Sequence, residues 1–364
     1  MSAPDGVRCM MMRGGTSKGA YFLAADLPRD PGARDDLLLR IMGSPDPRQI
    51  DGIGGATPLT SKVAVVSPAG PGSGADIDYL FLQLGVDETM VSDRQNCGNL
   101  LAGVGPFAVE RGLIAIDARV GSVPVRIRMV NTDSVAIATF PVSRGHPVYH
   151  GHTAISGVPG TAAAVRLDFE DIAGGSCGSL LPTGKPVDEI DGTACTLIDN
   201  GMPVVVMRAR DLGLGGDESC AELEADETLR ARLASIRLQA GPLMNLGDVT
   251  DTSVPKLTMV STPATGGHLN TRTFIPHRCH EAIGVLGAVS VATAALVPDS
   301  PAASVMARQP DAGGVITIEH PSGTFDATVD AEVGPDGLPN VRRAGIIRTA
   351  RKLFDGLTFP REYS

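Results

Sequence analysis

Leu100, Val104 and Phe107 recur at helical spacing in the stretch Gln95–Leu113, QNCGNLLAGVGPFAVERGL, with Glu110 and Arg111 in the last turn and Gly112 placed to stop it. This pattern predicts a helix with a buried face and puts Cys97 at or just before its N-terminus. Other stretches carry strand and turn signals. Arg8–Leu27 reads as a strand, a glycine-rich turn and a second strand, and Arg34–Met42 as a short helix ended by Gly43–Ser44–Pro45. Lys62 opens a strand with alternating Val63 and Val65, and Ile77–Val86 is a further strand leading to Cys97. Pro124–Val130 and Ser134–Phe140 form a strand pair around the turn Asn131–Thr132–Asp133.

The second half repeats this order. Ser253–Pro263, SVPKLTMVSTP, echoes Leu59–Pro68, LTSKVAVVSP: a lysine, a strand, then Ser and Pro. Arg278–Val297 echoes Asn96–Ile114, a cysteine opening an apolar helix of small residues; Val315–Val329 echoes Val125–Phe140; Met202–Leu212 resembles Lys18–Leu27. A duplicated unit implies an α+β protein of two pseudo-symmetric domains, each a curved, mostly antiparallel sheet around a central helix. The turn-rich Gly174–Gly184 marks the crossing, giving domains 1–184 and 185–344, with residues 345–364 returning to the first. Two cysteine-led helix N-termini are then expected across an interdomain cleft, a favoured place for small-molecule sites.

Composition narrows the class of partner. Hydrophobic residues at 43% and charged residues at 20% describe an ordinary globular protein, and with no Trp and 4% aromatics the core must be built from Val, Leu, Ile, Ala and Met. A net charge of −10 argues against nucleic acid or an anionic membrane as partner, but not against an anionic small molecule. No stretch reaches the roughly 18 uninterrupted apolar residues of a membrane span, and MSAPDGVRCMMMRGG has no apolar signal core. Six scattered cysteines read as free thiols in a reducing cytoplasm.

The candidate chemistry follows from these placements. At a helix N-terminus, unpaired N–H groups and the dipole favour a thiolate at Cys97 or a substrate carboxylate beside it. GGTSKG lacks the Gly-Lys-Ser/Thr order of a P-loop, but Gly15, Thr16 and Ser17 can present backbone amides and hydroxyls to a carboxylate, with Arg13 as a fork beside them. His146, His150 and His152, and His277 and His280 around Cys279, lack further ligands at metal spacing, so no metal or other cofactor is expected.

The motifs MRGGTSKG, DGIGGATPLTSKVAVV, QNCGNLLAGVGPFAVERGL, IDNGMPVV, GDV, VPK and FIPHRCHEAIGVLGAVSVATA together resemble the family of methylaconitate isomerases and 4-oxalomesaconate tautomerases, over nearly the whole chain. The resemblance implies a diaminopimelate epimerase-like fold. It also implies a cofactor-independent isomerase acting on 4-oxalomesaconate, a small tricarboxylate-like keto acid, in gallate and protocatechuate 4,5-cleavage. Alternatives are a 2-methylaconitate cis–trans isomerase of propionate breakdown and, in another class, a non-catalytic accessory protein. The family's catalytic lysine falls on Lys62 in TSK and its cysteine on Cys97 in QNCGN; the second cysteine of the epimerases falls on Cys279, within HRCH in place of a glycine-rich thiol loop. Asn96, Gly98, Asn99, Met202, Arg278, Cys279 and His280 join Arg13, Gly15, Thr16 and Ser17 as expected substrate contacts. The expected location is the cytoplasm, and the one assembly considered is a homodimer.

Overall fold

The structure, a computed structural model, describes residues 6–93, 96–335 and 337–362. The chain divides into two compact units, Met1–Leu167 with Ile347–Ser364, and Asp168–Ile346. The turn-rich segment Gly174–Gly184, expected at the crossing, lies instead inside the second unit. There the amides of Ser176 and Cys177 donate to Asp199 Oδ2 at 2.7 and 2.9 Å, fastening the segment to a strand of that unit.

In the first unit β1 (Val7–Gly14) and β2 (Ser17–Leu23) form an antiparallel hairpin closed by Gly15 and Thr16. Next come α1 (Pro31–Met42), β3 (Lys62–Pro68), β4 (Ile77–Leu84), the short β5 (Val91–Ser92) and α2 (Gly98–Glu110). The hairpin β6 (Ser122–Met129) and β7 (Ser134–Ser143) follows, then β8 (His146–Pro147) and β9 (Ala164–Phe169). The β2–β3 and β4–β6 pairs are parallel, and the β3–β4 and β6–β7 pairs antiparallel. Parallel neighbours need a long crossover, and α1 and α2 lie on those two connections. Asp30 caps α1, accepting from Ala33 N at 2.9 Å, and Gly43 closes it at φ 83°.

The two helices explain the alternation along the strands. Phe22, Val63, Val65 and Leu82 pack with Leu38, Ile41 and Met42 of α1. The intervening Tyr21, Lys62, Ala64 and Phe81 therefore point to the opposite face, where α2 lies with Leu100 to Val109 all buried. Gly103 lets α2 approach so closely that a Cβ there would stand 2.5 Å from Tyr21 Oη.

The second unit contains β10 (Asp188–Ile190), β11 (Thr193–Asp199), β12 (Pro203–Arg208), α3 (Cys220–Ala225), α4 (Glu227–Leu243), β13 (Lys256–Ser261) and β14 (Leu269–Phe274). After α5 (Val285–Ala294) come β15 (Val315–His320), β16 (Gly323–Val333) and β17 (Pro339–Thr358). Its ladders copy the first unit: β12–β13 and β14–β15 are parallel, β13–β14 and β15–β16 antiparallel. The repeat read from the sequence is thus a repeat of topology. Pro339 to Ile346 of β17 pair with β16, and its remainder pairs with β1 from Gly14↔Ala350 to Val7↔Thr358.

Two expectations need correction here. Two helices not expected from the sequence, α3 and α4, occupy the β12–β13 crossover as α1 occupies that between β2 and β3. The second apolar helix does not open at a cysteine: α5 starts at Val285 behind Gly284, whereas Cys279 forms an isolated bridge with Phe274. A turn closed by Ile275 N donating to Arg278 O, with His280 N donating to Thr273 O, folds the chain back on β14 and postpones the helix.

Candidate active site

Lys62 is only 8% exposed. Its Nζ donates to Gln83 Oε1 at 2.5 Å and stands 5.0 Å from the centroid of the Phe81 ring, and among the described residues no carboxylate pairs with it. Gln83 is the cross-strand neighbour of Lys62, and its Nε2 donates to the carbonyls of Pro58, Ser61 and Leu84, which fixes its oxygen toward the lysine. The loop before Lys62 is set by Gln49, a residue the motif reading missed. Gln49 Oε1 accepts from Ala56 N and Ser61 Oγ, both at 2.8 Å, and its Nε2 donates to Ser44 Oγ at 3.0 Å. The one signal for it in the sequence is the glycine cluster beside it: a Cβ on Gly54 would lie 2.2 Å from the Gln49 amide.

Cys97 is the N-cap of α2, with extended backbone and no side-chain cap bond, so its thiol leaves the first-turn amides open. The carbonyls of that turn are anchored from the sheet. Tyr79 Oη donates to Cys97 O at 3.3 Å and Tyr21 Oη to Leu100 O at 2.6 Å. Both tyrosines are wholly buried, and burial raises their pKa well above the ordinary value, keeping them donors. Asn131 ties the approach to β4, accepting from Phe81 N at 2.9 Å and donating to Phe81 O and Asp93 O, while Asn96 Nδ2 donates to Thr132 Oγ1.

The Gly14–Ser17 turn rests on the start of α2. Asn99 Nδ2 donates to Thr16 Oγ1 at 3.0 Å. Gly15 has φ 51°, and a Cβ on it would lie 2.2 Å from Asn99 Oδ1, so both conformation and space demand glycine. Arg13 Nη1 donates to Gly15 O and Thr349 O, at 2.8 and 2.9 Å, and so holds the turn from behind. Gly19, paired with Lys62, has room for no Cβ between Lys62 O and Leu100 Cδ2, at 2.7 and 2.9 Å. The strand of Lys62 and the helix of Cys97 thus meet. Around them the buried Ser17 Oγ, Asn96 Oδ1 and Asn99 Oδ1 have no hydrogen-bond partner among the described residues, capacity left for a polar ligand.

One cluster in the first unit therefore assembles Lys62, Cys97, Asn96, Gly98, Asn99, Gly15, Thr16 and Ser17, with Arg13 behind the turn. Gln95 of the same motif lies outside the described residues. In the second unit Met202 O accepts from Ser290 Oγ at 2.7 Å, and Arg278 is exposed on the turn after β14. The Cys279 thiol sits in the core against α3 and α4; burial and a hydrogen bond with Cys220 raise its pKa well above the usual range, and its amide donates to Glu224 Oε1 at 2.9 Å. Cys279, expected to cap the second apolar helix, instead precedes it and packs its thiol in the core beside Cys220. His280 Nδ1 accepts from Ala282 N at 2.9 Å, and burial together with the charge of Lys256 lowers its pKa. Lys256, which opens β13 as Lys62 opens β3, also has a lowered pKa because of burial. Its VPK echo of TSK was the signal that could have marked it. Among the described residues no group of three or more His, Cys, Asp or Glu is placed to hold a metal ion, and no helix is long and apolar enough to cross a membrane.

A parallel-strand lysine facing a cysteine-capped helix, in a duplicated α+β unit, defines a class, and comparison with known proteins identifies it. The chain belongs to the family described as PrpF protein, which matches residues 6–360. It is 56% identical over 355 residues to the (4E)-oxalomesaconate Delta-isomerase of Novosphingobium sp. (strain KA1), covering 98% of each chain. It is 54% identical over 351 residues to the 4-oxalomesaconate tautomerase of Pseudomonas putida, covering 96% of this chain and 95% of that one. Among solved structures it resembles methylitaconate-delta-isomerase, with a TM-score of 0.87 and 31% identity over 99% of this chain and 96% of that one. A hydroxyproline epimerase from Agrobacterium vitis shares the fold, with a TM-score of 0.50 and 15% identity over 96% and 90% of the two chains.

Proposed function

We propose that this protein isomerises 4-oxalomesaconate by moving a proton, with Lys62 and Cys97 as the two proton carriers. The observation that carries the reading is the placement of a buried lysine, without a carboxylate partner among the described residues, on the sheet face covered by a helix that Cys97 caps. The near full-length likeness to a 4-oxalomesaconate tautomerase and a Delta-isomerase supports the substrate.

The reaction needs a base at the acidic C–H, a donor at the receiving atom, and stabilisation of the dienolate between them. One of Lys62 and Cys97 removes the proton, and a proton returns from the other, so the substrate changes bonding but not composition. Gln83 and the Phe81 ring hold the Lys62 amine in place. The amides of Gly98 and Asn99 at the open end of α2, with the Ser17 and Thr16 hydroxyls, bind the substrate carboxylates and the charge that develops on the enolate oxygen. The six cysteines are free thiols, which fits a place in the cytoplasm among the enzymes of aromatic-ring cleavage.

The test is turnover in D₂O of 4-oxalomesaconate and of 2-methylaconitate, followed by ultraviolet absorbance and proton NMR. Conversion with deuterium entry is expected for 4-oxalomesaconate. Lys62→Met should abolish it and leave the thermal unfolding of the protein nearly unchanged. Cys97→Ser should lower kcat by about 100-fold or more, the scale of a lost acid–base group, with a smaller change in KM. Turnover of 2-methylaconitate alone, or wild-type rates in Lys62→Met, would overturn the reading.

A further inference from the structure

A cavity of about 290 Å³ in the first unit is lined by Arg13, Tyr149, His150, Thr153, Val158 and Arg351, among others, and by neither Lys62 nor Cys97. Arg13 and Arg351 are direct cross-strand partners in the β1–β17 ladder, so their side chains leave the same face of the sheet. Two like charges directly opposite each other destabilise a ladder unless something compensates them. Glu110, which touches the cavity's Tyr149, is engaged with Lys352: its Oε1 accepts from Lys352 Nζ at 2.7 Å and from Tyr149 Oη at 3.3 Å, and Asp355, further along β17, is held by Arg111. Among the described residues Arg351 has no ion pair, and Arg13 bonds only to the carbonyls of Gly15 and Thr349. Burial and the charge of Arg351 lower the pKa of Arg13, as expected of a cation short of counter-charge.

We propose that this cavity binds a small polycarboxylate, at a place separate from Lys62 and Cys97, with one carboxylate shared between the forks of Arg13 and Arg351. Guanidinium forks match planar carboxylates in a bidentate manner. Val158 and the neighbouring Ile155 and Pro159 offer an apolar wall to a carbon skeleton, and the volume far exceeds that of one inorganic anion. Because Arg13 also holds the Gly15 carbonyl, and a Cβ on Gly157 of the cavity loop would lie 3.3 Å from Thr16 Cγ2, an occupant is in mechanical contact with the Gly14–Ser17 turn.

The test is calorimetric titration of the full chain with tricarballylate, a saturated tricarboxylate with no double bond to move, beside inorganic phosphate. Wild type and Lys62→Met should both bind tricarballylate. Arg351→Glu should raise the Kd about tenfold or more, and Arg351→Lys, which keeps the charge but loses the fork, should fall between wild type and Arg351→Glu. Thermal unfolding of the two Arg351 variants checks that the exposed substitution leaves the fold intact. The proposal is overturned if wild type does not bind tricarballylate, if binding disappears in Lys62→Met, if Arg351→Glu binds as well as wild type, or if phosphate binds as tightly with the same Arg351 dependence.

Discussion

At the scale of single residues, the site depends as much on atoms that are missing as on those present. Gly15 combines a positive φ with the side chain of Asn99 where a Cβ would be. Gly15→Ala should therefore shift the Thr16–Asn99 contact and cost about 1–3 kcal/mol of stability, through backbone strain and overpacking together. Denaturant unfolding would show that loss, and kcat/KM should fall more than stability alone accounts for. The placement of Lys62 at a strand start and Cys97 at a helix start was legible because those signals are local. Gln49 was not, because its role is to receive Ala56 N and Ser61 Oγ across a fold of the loop, and nothing adjacent to it in the chain announces those partners. Cys279 misled for the converse reason. A cysteine before an apolar run looks like Cys97, but the Ile275–Arg278 turn carries its thiol into the core beside Cys220.

At the scale of elements, α2 was readable because its apolar positions keep one period and Gly112 ends it, and the hairpins were readable from alternation. The helices α3 and α4 bear no sequence likeness to α1, so the internal repeat does not mark them. Their own signals are plain. Ser219 and Glu222 form a capping box, Asp226 accepts from Leu229 N at 2.9 Å, and Leu229, Leu233, Ile236 and Ala240 share a buried stripe. Removing the Asp226 side chain as Asp226→Ala should destabilise the second unit by about 1 kcal/mol, the usual worth of such a cap, with little effect on kcat. A calorimetric melt and an activity assay on the same preparation would check both halves of that statement.

At the scale of the whole molecule, the duplication fixes two matching sets of ladders, and one strand closes the first unit from the far end of the sequence. Arg111, whose side chain is nearly inaccessible, grips Asp355 with two bonds of 2.9 and 2.8 Å and fastens that strand to the end of α2. The hydrogen bonds from Arg111 lower the pKa of Asp355, outweighing its partial burial. A carboxylate whose folded pKa is depressed adds stability above its ordinary pKa, and that stability disappears as pH falls through the lowered value. Melting temperature should therefore decline on acidification below about pH 4, and Asp355→Asn should flatten part of that decline while lowering stability at neutral pH.

The late arrival of residues 347–358 has a consequence for how the chain is made. A protein emerging from the ribosome usually completes its first domain first. Here every residue of the second unit is translated before the strand that covers β1, so the second unit can close while the first still presents Val7–Gly14 as an unpaired edge. Open edges recruit other strands, and the newborn chain is most exposed to misassembly in the interval before residues 347–358 arrive. Maturation of the half that carries Lys62 and Cys97 thus waits for residues 347–358, and a chain that lacks them leaves that half unfinished.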